Sequence, residues 1–200
     1  MNYKHALSTP IFEIISKSAE QLGFDSYAIG GFVRDFILDR DAKKDIDIVA
    51  IGSGIELAKR VSKNLPNNPK VQIFKNYGTA MIKYEGVDLE FVGARKESYT
   101  EDSRNPTVED GTLEEDQNRR DFTINAMAIS LNTANYGELL DPFGGISDIT
   151  SKCIKTPLEP AITYSDDPLR MLRAIRFASQ LDFTIEAESL KAIKDQSQRI

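Results

Sequence analysis

The sequence predicts an α/β (α+β) protein in which a mixed sheet with flanking helices is followed by the beginning of an all-helical region. Three observations carry this. A strand, a glycine turn, a helix and a second strand succeed one another between Tyr27 and Ile51. Two later apolar runs, Thr79 to Tyr84 and Val87 to Val92, are joined by Glu85-Gly86, a hairpin turn signal. From Pro168 onward only helical periodicity remains.

The elements follow in order. Ser8-Thr9-Pro10 starts a helix, because a hydroxyl can cap free amides and Pro suits the first turn; Ile11, Ile14, Ile15 and Leu22 then recur at helical spacing, and Gly23 ends it. Tyr27-Ala28-Ile29 is a short strand running into Gly30-Gly31, with helical turns from Val33 to Leu38. Asp45 to Ile51 is the second strand, and Gly52 and Gly54 lead into a helix ending near Asn64. Val71 to Phe74 precedes the hairpin as a further strand. The stretch from Gly93 to Asn118, dense in charge (Arg95, Lys96, Arg104, Asp110, Glu114, Glu115, Asp116), exceeds the roughly 12 to 15 residues usual for a structureless connection. It reads as a mobile functional loop or as disorder. Ala126 to Leu131 is a strand, and Asp141-Pro142-Phe143-Gly144-Gly145 precedes a short helix and Cys153-Ile154. Asp166 and Asp167 can cap the next helix, whose apolar stripe is Leu169, Leu172, Ile175 and Ala178. A last helix runs from about Ala187, and no stop signal closes it, so the chain is expected to belong to a larger helical region.

Composition narrows the chemistry. The 200 residues carry 25 Lys+Arg against 31 Asp+Glu, a formal charge of −6 that argues against a nucleic-acid-coating protein while permitting a local basic cleft. No apolar run approaches the roughly 18 residues of a membrane span, and the N-terminus lacks a signal-peptide core, so a cytoplasmic location is expected. Cys153 is the only cysteine, which removes internal disulfides and multi-cysteine zinc sites, and His5, the only histidine, lies near the terminus, which argues against a Ser-His-Asp triad, a Cys-His dyad or a His-rich metal site. Chemistry here runs on carboxylates, arginines and lysines.

Asp45 and Asp47 stand two apart in an apolar strand, so both carboxylates share one face while Ile46 and Ile48 point to the core. Adjacent acids of this kind invite Mg²⁺ or Mn²⁺, and two such ions about 3.5 to 4 Å apart clamp phosphoryl or nucleotidyl displacements. Asp88 and Glu90 form a second same-face pair, either of which completes a three-carboxylate site. Gly30-Gly31 lies where backbone amides approach phosphate, with Arg34 one turn on. Arg119 and Arg120 offer guanidinium forks to a triphosphate, and Asp167 with Arg170, three apart on a helix, sets an acceptor beside donors as a base edge requires. Each feature taken singly also fits an ordinary turn, cap or solvated face.

Together, Gly30-Gly31-Phe32-Val33-Arg34-Asp35, Asp45-Ile46-Asp47, the run from Arg119 to Ala128, Asp141 to Gly145, and Asp166 to Arg170 closely resemble class II tRNA nucleotidyltransferases (CCA-adding enzymes) and bacterial poly(A) polymerases, in order and in spacing. The resemblance implies a polymerase beta-like nucleotidyltransferase head over 1–150 and the start of a helical neck over 151–200. It implies that Asp45, Asp47 and Glu90 bind two Mg²⁺ ions (Mn²⁺ as substitute), with Asp88 in reserve. Gly30, Gly31 and Arg34 match the phosphate-cradling segment, Arg120 the triphosphate contacts, and Asp121 with Asn125 the ribose segment. Asp167 and Arg170 match the pair that reads C and A, supported by Arg173, and Asp141 to Asp148 resembles a springy head-to-neck element. One departure is visible: Asp166 stands where the family usually has Glu. The implied activity is template-independent addition of CMP and AMP from CTP and ATP to the tRNA 3′ end. Poly(A) synthesis and A-only or C-only addition share every motif, and a catalytically silent nucleotide- or RNA-binding module is the alternative from another class. Keeping three carboxylates together argues against the silent module.

Overall fold

The computed structural model describes residues 1–40, 45–100 and 103–200, the side chains of 99, 100 and 103–105 excepted. Helix α1 (Pro10–Leu22) opens on Pro10 without a side-chain cap from Thr9, and closes at Gly23, whose left-handed conformation lets its amide reach back to Ala19 and Glu20. Then come β1 (Ser26–Ile29), α2 (Gly31–Ile37), β2 (Asp45–Ala50) and α3 (Gly54–Asn64), the last capped by the Ser53 hydroxyl on the Glu56 amide. Next are β3 (Val71–Phe74), β4 (Thr79–Tyr84) and β5 (Val87–Gly93).

The stretch from Gly93 to Asn118 is not a structureless loop among the described residues. It forms a hairpin of β6 (Arg95–Thr100) and β7 (Ser103–Asp110), followed by α4 (Leu113–Asn118); the tip at 101–102 lies outside the described residues. Its strands lack the usual apolar alternation because opposite charges face each other across the ladder, Arg95 opposite Asp110 and Lys96 opposite Glu109. Helix α4 starts with a capping box in which Thr112 and Glu115 satisfy each other's amides. Thr112→Ala is expected to cost about 0.5–2 kcal/mol, lowering the melting temperature by roughly 2–4 °C per kcal/mol and speeding amide exchange in α4.

The remaining elements are β8 (Ala128–Ser130), β9 (Leu139–Leu140), α5 (Gly145–Thr150), β10 (Cys153–Ile154), α6 (Pro160–Asp166), α7 (Leu169–Leu181), β11 (Thr184–Ile185) and α8 (Ala187–Gln196). Strand β8 is shorter than the apolar run suggests because Thr123–Asn125 forms a 3-10 turn before it. Helix α6 was not expected from the sequence; Pro160 at its first turn is its start signal, and Tyr164 is its buried anchor, bonded to the Ser189 hydroxyl. Asp166 therefore ends α6 rather than capping α7, while Asp167 Oδ1 accepts from the Leu169 amide at 3.1 Å. The stripe of Leu169, Leu172 and Ile175 faces outward on α7. The buried face is the adjoining set of Met171, Ala174, Phe177 and Leu181, which also runs at helical spacing.

Seven strands form one sheet in the order β3-β4-β5-β2-β1-β8-β9. Strands β2 and β5 run parallel, with Asp45 beside Asp88 and Asp47 beside Glu90; β1 is antiparallel to β2 and β8, and β4 to β5. Alternation then sorts the faces. Ile46, Ile48, Leu89 and Phe91 enter the main core with Phe12 and Ile15 of α1 and Leu57 of α3. The opposite face is acidic at the start of β2 and apolar further along, where Val49 packs with Tyr27, Ile29, Ala94 and Ala128 under Leu113. One continuous core also takes in Ile154, Tyr164, Met171 and Phe177. Among the described residues no helix is long and apolar enough to cross a membrane.

Candidate active site

The site grows from the glycine turn after β1. Gly30 has φ +78°, a conformation open to glycine, and a Cβ placed on it would lie 3.2 Å from Arg120 Nη1 and 3.3 Å from Asp47 Oδ2. A carboxylate and a guanidinium thus converge on bare backbone at the N-terminus of α2, the geometry that admits a phosphate. Gly30→Ala is expected to strain the turn by about 1–2 kcal/mol and to displace the fork. The melting temperature should fall modestly while triphosphate affinity, measured by calorimetry, falls steeply.

Asp45, Asp47 and Glu90 share one face of the paired β2 and β5, as alternation requires. Burial, then the charges of Asp45 and Asp116, hold Asp47 above the ordinary carboxylate range against the pull of Arg120. Glu90 is raised by burial first and by Asp47 next, with Arg95 opposing. Asp88, the reserve, is instead ion-paired with Lys83 at 2.9 Å at the surface. Charged oxygens crowded enough to lift one another's pKa suit a hard divalent cation. Among the described residues no three His, Cys, Asp or Glu side chains stand close enough together to hold a metal ion on their own.

Beside this face runs a connected polar chain. Arg34 is buried and donates to both oxygens of Asp35 at 2.8 Å and to Asn125 Oδ1 at 2.7 Å. Its donors are engaged within the protein rather than held out to a phosphate, and its guanidinium lies 5.0 Å over the Phe177 ring. Asn125 donates to Asp121 Oδ1 at 3.0 Å, and Asp121 Oδ2 accepts from Arg173 Nε at 2.6 Å. The ribose candidates Asp121 and Asn125 therefore link Arg34 of α2 to Arg173 of α7.

Asp167 and Arg170 line a cavity of about 640 Å³ with Tyr77, Arg95, Glu97 and Arg119. Arg170 is buried, and its Nη2 donates to the Arg119 carbonyl at 2.7 Å. Asp45, Asp47 and Glu90 do not line this cavity. A more apolar cavity of about 510 Å³ lies on the other side of the sheet, against Ile46 and Leu89, away from the carboxylates.

Two residues escaped the sequence reading. Asp116 is fully buried and accepts from both Arg119 and Arg120; burial pushes its carboxyl up, but the two guanidiniums outweigh this and bring it below the ordinary range. Its spacing of three and four residues from those arginines on a helix was the signal available. Glu97 accepts from Arg119 at 3.2 Å and tethers the hairpin to the arginine pair; nothing in its neighbourhood of sequence announced that.

The chain is 43% identical over 169 residues to an A-adding tRNA nucleotidyltransferase of Aquifex aeolicus, a match covering 84% of this chain and 20% of that protein. It is 36% identical over 183 residues to a CCA-adding enzyme of Lactobacillus helveticus, covering 90% and 43% respectively. Among solved structures, it resembles a tRNA nucleotidyltransferase complexed with a primer tRNA and an incoming ATP analogue, at TM-score 0.79 and 37% identity, over 92% of this chain and 50% of that one. It also resembles an apo form of a CCA-adding enzyme, at TM-score 0.88 and 33% identity, over 100% and 48%. The chain thus spans half or less of the length of these relatives. Residues 26–155 match the poly A polymerase head domain family, and the glycine turn, the carboxylate face and the arginine pair all fall inside that span, so the chain belongs to this family.

Proposed function

We propose that the chain is the catalytic head, residues 1–150, and the beginning of the neck, residues 151–200, of a template-independent nucleotidyltransferase that adds CMP and AMP from CTP and ATP to the tRNA 3′ end. The observation that carries the reading is the convergence of Asp47 Oδ2 and Arg120 Nη1 over Gly30. In the reaction the RNA 3′-hydroxyl oxygen forms a bond to the α-phosphorus, the bond to the bridging oxygen breaks, the hydroxyl proton is lost and pyrophosphate leaves. Asp45, Asp47 and Glu90 would hold two Mg²⁺ ions, or Mn²⁺ in their place, which supply a lowered hydroxyl pKa and neutralise phosphate charge.

The chain's own groups do the rest. Backbone at Gly30 and Gly31 admits the phosphates, and Arg120 directs its Nη1 toward them. Asp167 accepts from an exocyclic amino group, present on C and A and absent from U, while Arg170 donates to ring acceptors. Arg173, Asp121, Asn125 and Arg34 join the base-reading helix to the phosphate end in one hydrogen-bonded chain. Addition of A alone is the second reading, favoured by the 43% identity to the Aquifex aeolicus A-adding enzyme.

Calorimetry of ATP, CTP, UTP and GTP binding to this chain, with and without Mg²⁺, tests the reading. Selective binding of ATP and CTP supports CCA addition, and ATP alone moves the assignment to A addition or poly(A) synthesis. Absence of Mg²⁺-dependent incorporation into tRNA by a protein that binds these nucleotides would leave the silent module.

A further inference from the structure

We propose that Asp116 is a positioning residue that holds Arg119 and Arg120 in place for a nucleoside triphosphate before one binds; the proposal rests on the function given above. Both carboxylate oxygens are used. Oδ1 accepts from Arg119 Nε at 3.0 Å and Nη2 at 2.5 Å, and Oδ2 accepts from Arg120 Nε at 3.2 Å and Nη2 at 3.0 Å. Each guanidinium turns the same edge to the acid, so each Nη1 is directed onward. That of Arg119 goes to Glu97 on β6. That of Arg120 reaches the Asn125 carbonyl at 3.4 Å and stands beside Gly30 and Asp47.

Planar bidentate pairing of this kind fixes orientation as well as charge. A free arginine loses rotamer freedom when it grips a phosphate, and here that loss is taken on folding instead of on binding. With Glu97 and its other partner Arg95 counted, three cations face two anions, so the clamp orients the pair without cancelling its attraction for phosphate. The same short segment holds the base-reading end: the Arg119 carbonyl accepts from Arg170 Nη2 at 2.7 Å. Through two residues, Asp116 sets the phosphate fork and the main-chain acceptor that steadies Arg170.

Asp116→Asn keeps the shape and removes the charge, and its sign separates the explanations. Positioning predicts ATP and CTP binding weakened by about tenfold or more, with AMP, which keeps the base but lacks the β- and γ-phosphates, weakened much less. If Asp116 only neutralises charge, ATP binds more tightly to the variant, and the proposal is overturned. If it only supports the fold, the melting temperature drops while ATP affinity of the folded protein is unchanged, which overturns it equally. Should the variant fail to fold, nitrogen NMR of the nucleotide-free wild-type protein decides. Slow guanidinium rotation at both Arg119 and Arg120 is expected, and freely averaged signals would sink the clamp. A wild-type chain that binds no nucleoside triphosphate overturns the function reading, and the arginine signals still decide whether Asp116 holds the pair.

Discussion

Asp47→Asn is expected to remove nucleotide incorporation by about a thousandfold or more, the scale of several kcal/mol of charge stabilisation, while making the metal-free protein more stable at neutral pH. The two effects share one cause. Burial and the neighbouring Asp45 and Asp116 raise the folded-state pKa of Asp47 above its unfolded value. A carboxyl raised in this way costs the fold stability once pH climbs through the folded value, and costs nothing below the unfolded value, where both states are protonated. The variant's gain in melting temperature should therefore be present at neutral pH and vanish in acid. Asp45→Ala should lose incorporation to a similar extent and keep the fold. Thermal melts across pH, paired with a Mg²⁺-dependent incorporation assay, check both halves. Wild-type turnover in either variant would end the assignment of this face.

Asp167→Ala should act on choice rather than on rate. Deleting the acceptor leaves the exocyclic amino group of C or A without a partner, a loss of roughly 1–3 kcal/mol per unpaired group. Selectivity for C and A over U should then fall by one to two orders of magnitude, mostly through weaker binding of C and A. Competition assays with CTP, ATP and UTP read this directly. The side chain also accepts from the Leu169 amide at the start of α7, so Asp167→Asn, which retains one acceptor oxygen, serves as the control for local fraying. Unchanged preference in both variants would remove Asp167 from base reading.

Much of this site is legible in sequence because its carriers obey short-range rules. Alternation along Asp45-Ile46-Asp47-Ile48 fixes which side chains share a face, and the glycine pair marks where backbone approaches a ligand. What escapes is what depends on long-range partners. The charged stretch after Gly93 looks unstructured until Arg95 is set opposite Asp110 and Lys96 opposite Glu109. On α7 two adjoining stripes both have helical period, and only the positions of α6, β10 and β11 decide that Met171 and Phe177, not Leu172 and Ile175, go inward. Arg34 likewise reads as a phosphate ligand by its place after Gly31, yet Asp35 and the distant Asn125 occupy its donors.

The order of the strands has a consequence for how the protein is made. Strand β1 is flanked by β2 and by β8, and Tyr27 pairs with Ser130, about a hundred residues later. At a synthesis rate of about 5–20 residues per second, one edge of β1 stays unpaired for on the order of 5–20 s while the chain emerges. Throughout that interval an apolar strand exposes hydrogen-bonding groups to any other nascent chain. The carboxylate face waits as well, since Asp47 meets Glu90 only after the connection through β3 and β4 is complete. A topology so rich in distant pairings folds slowly. Refolding yield should therefore fall with protein concentration long before the finished protein shows any tendency to aggregate.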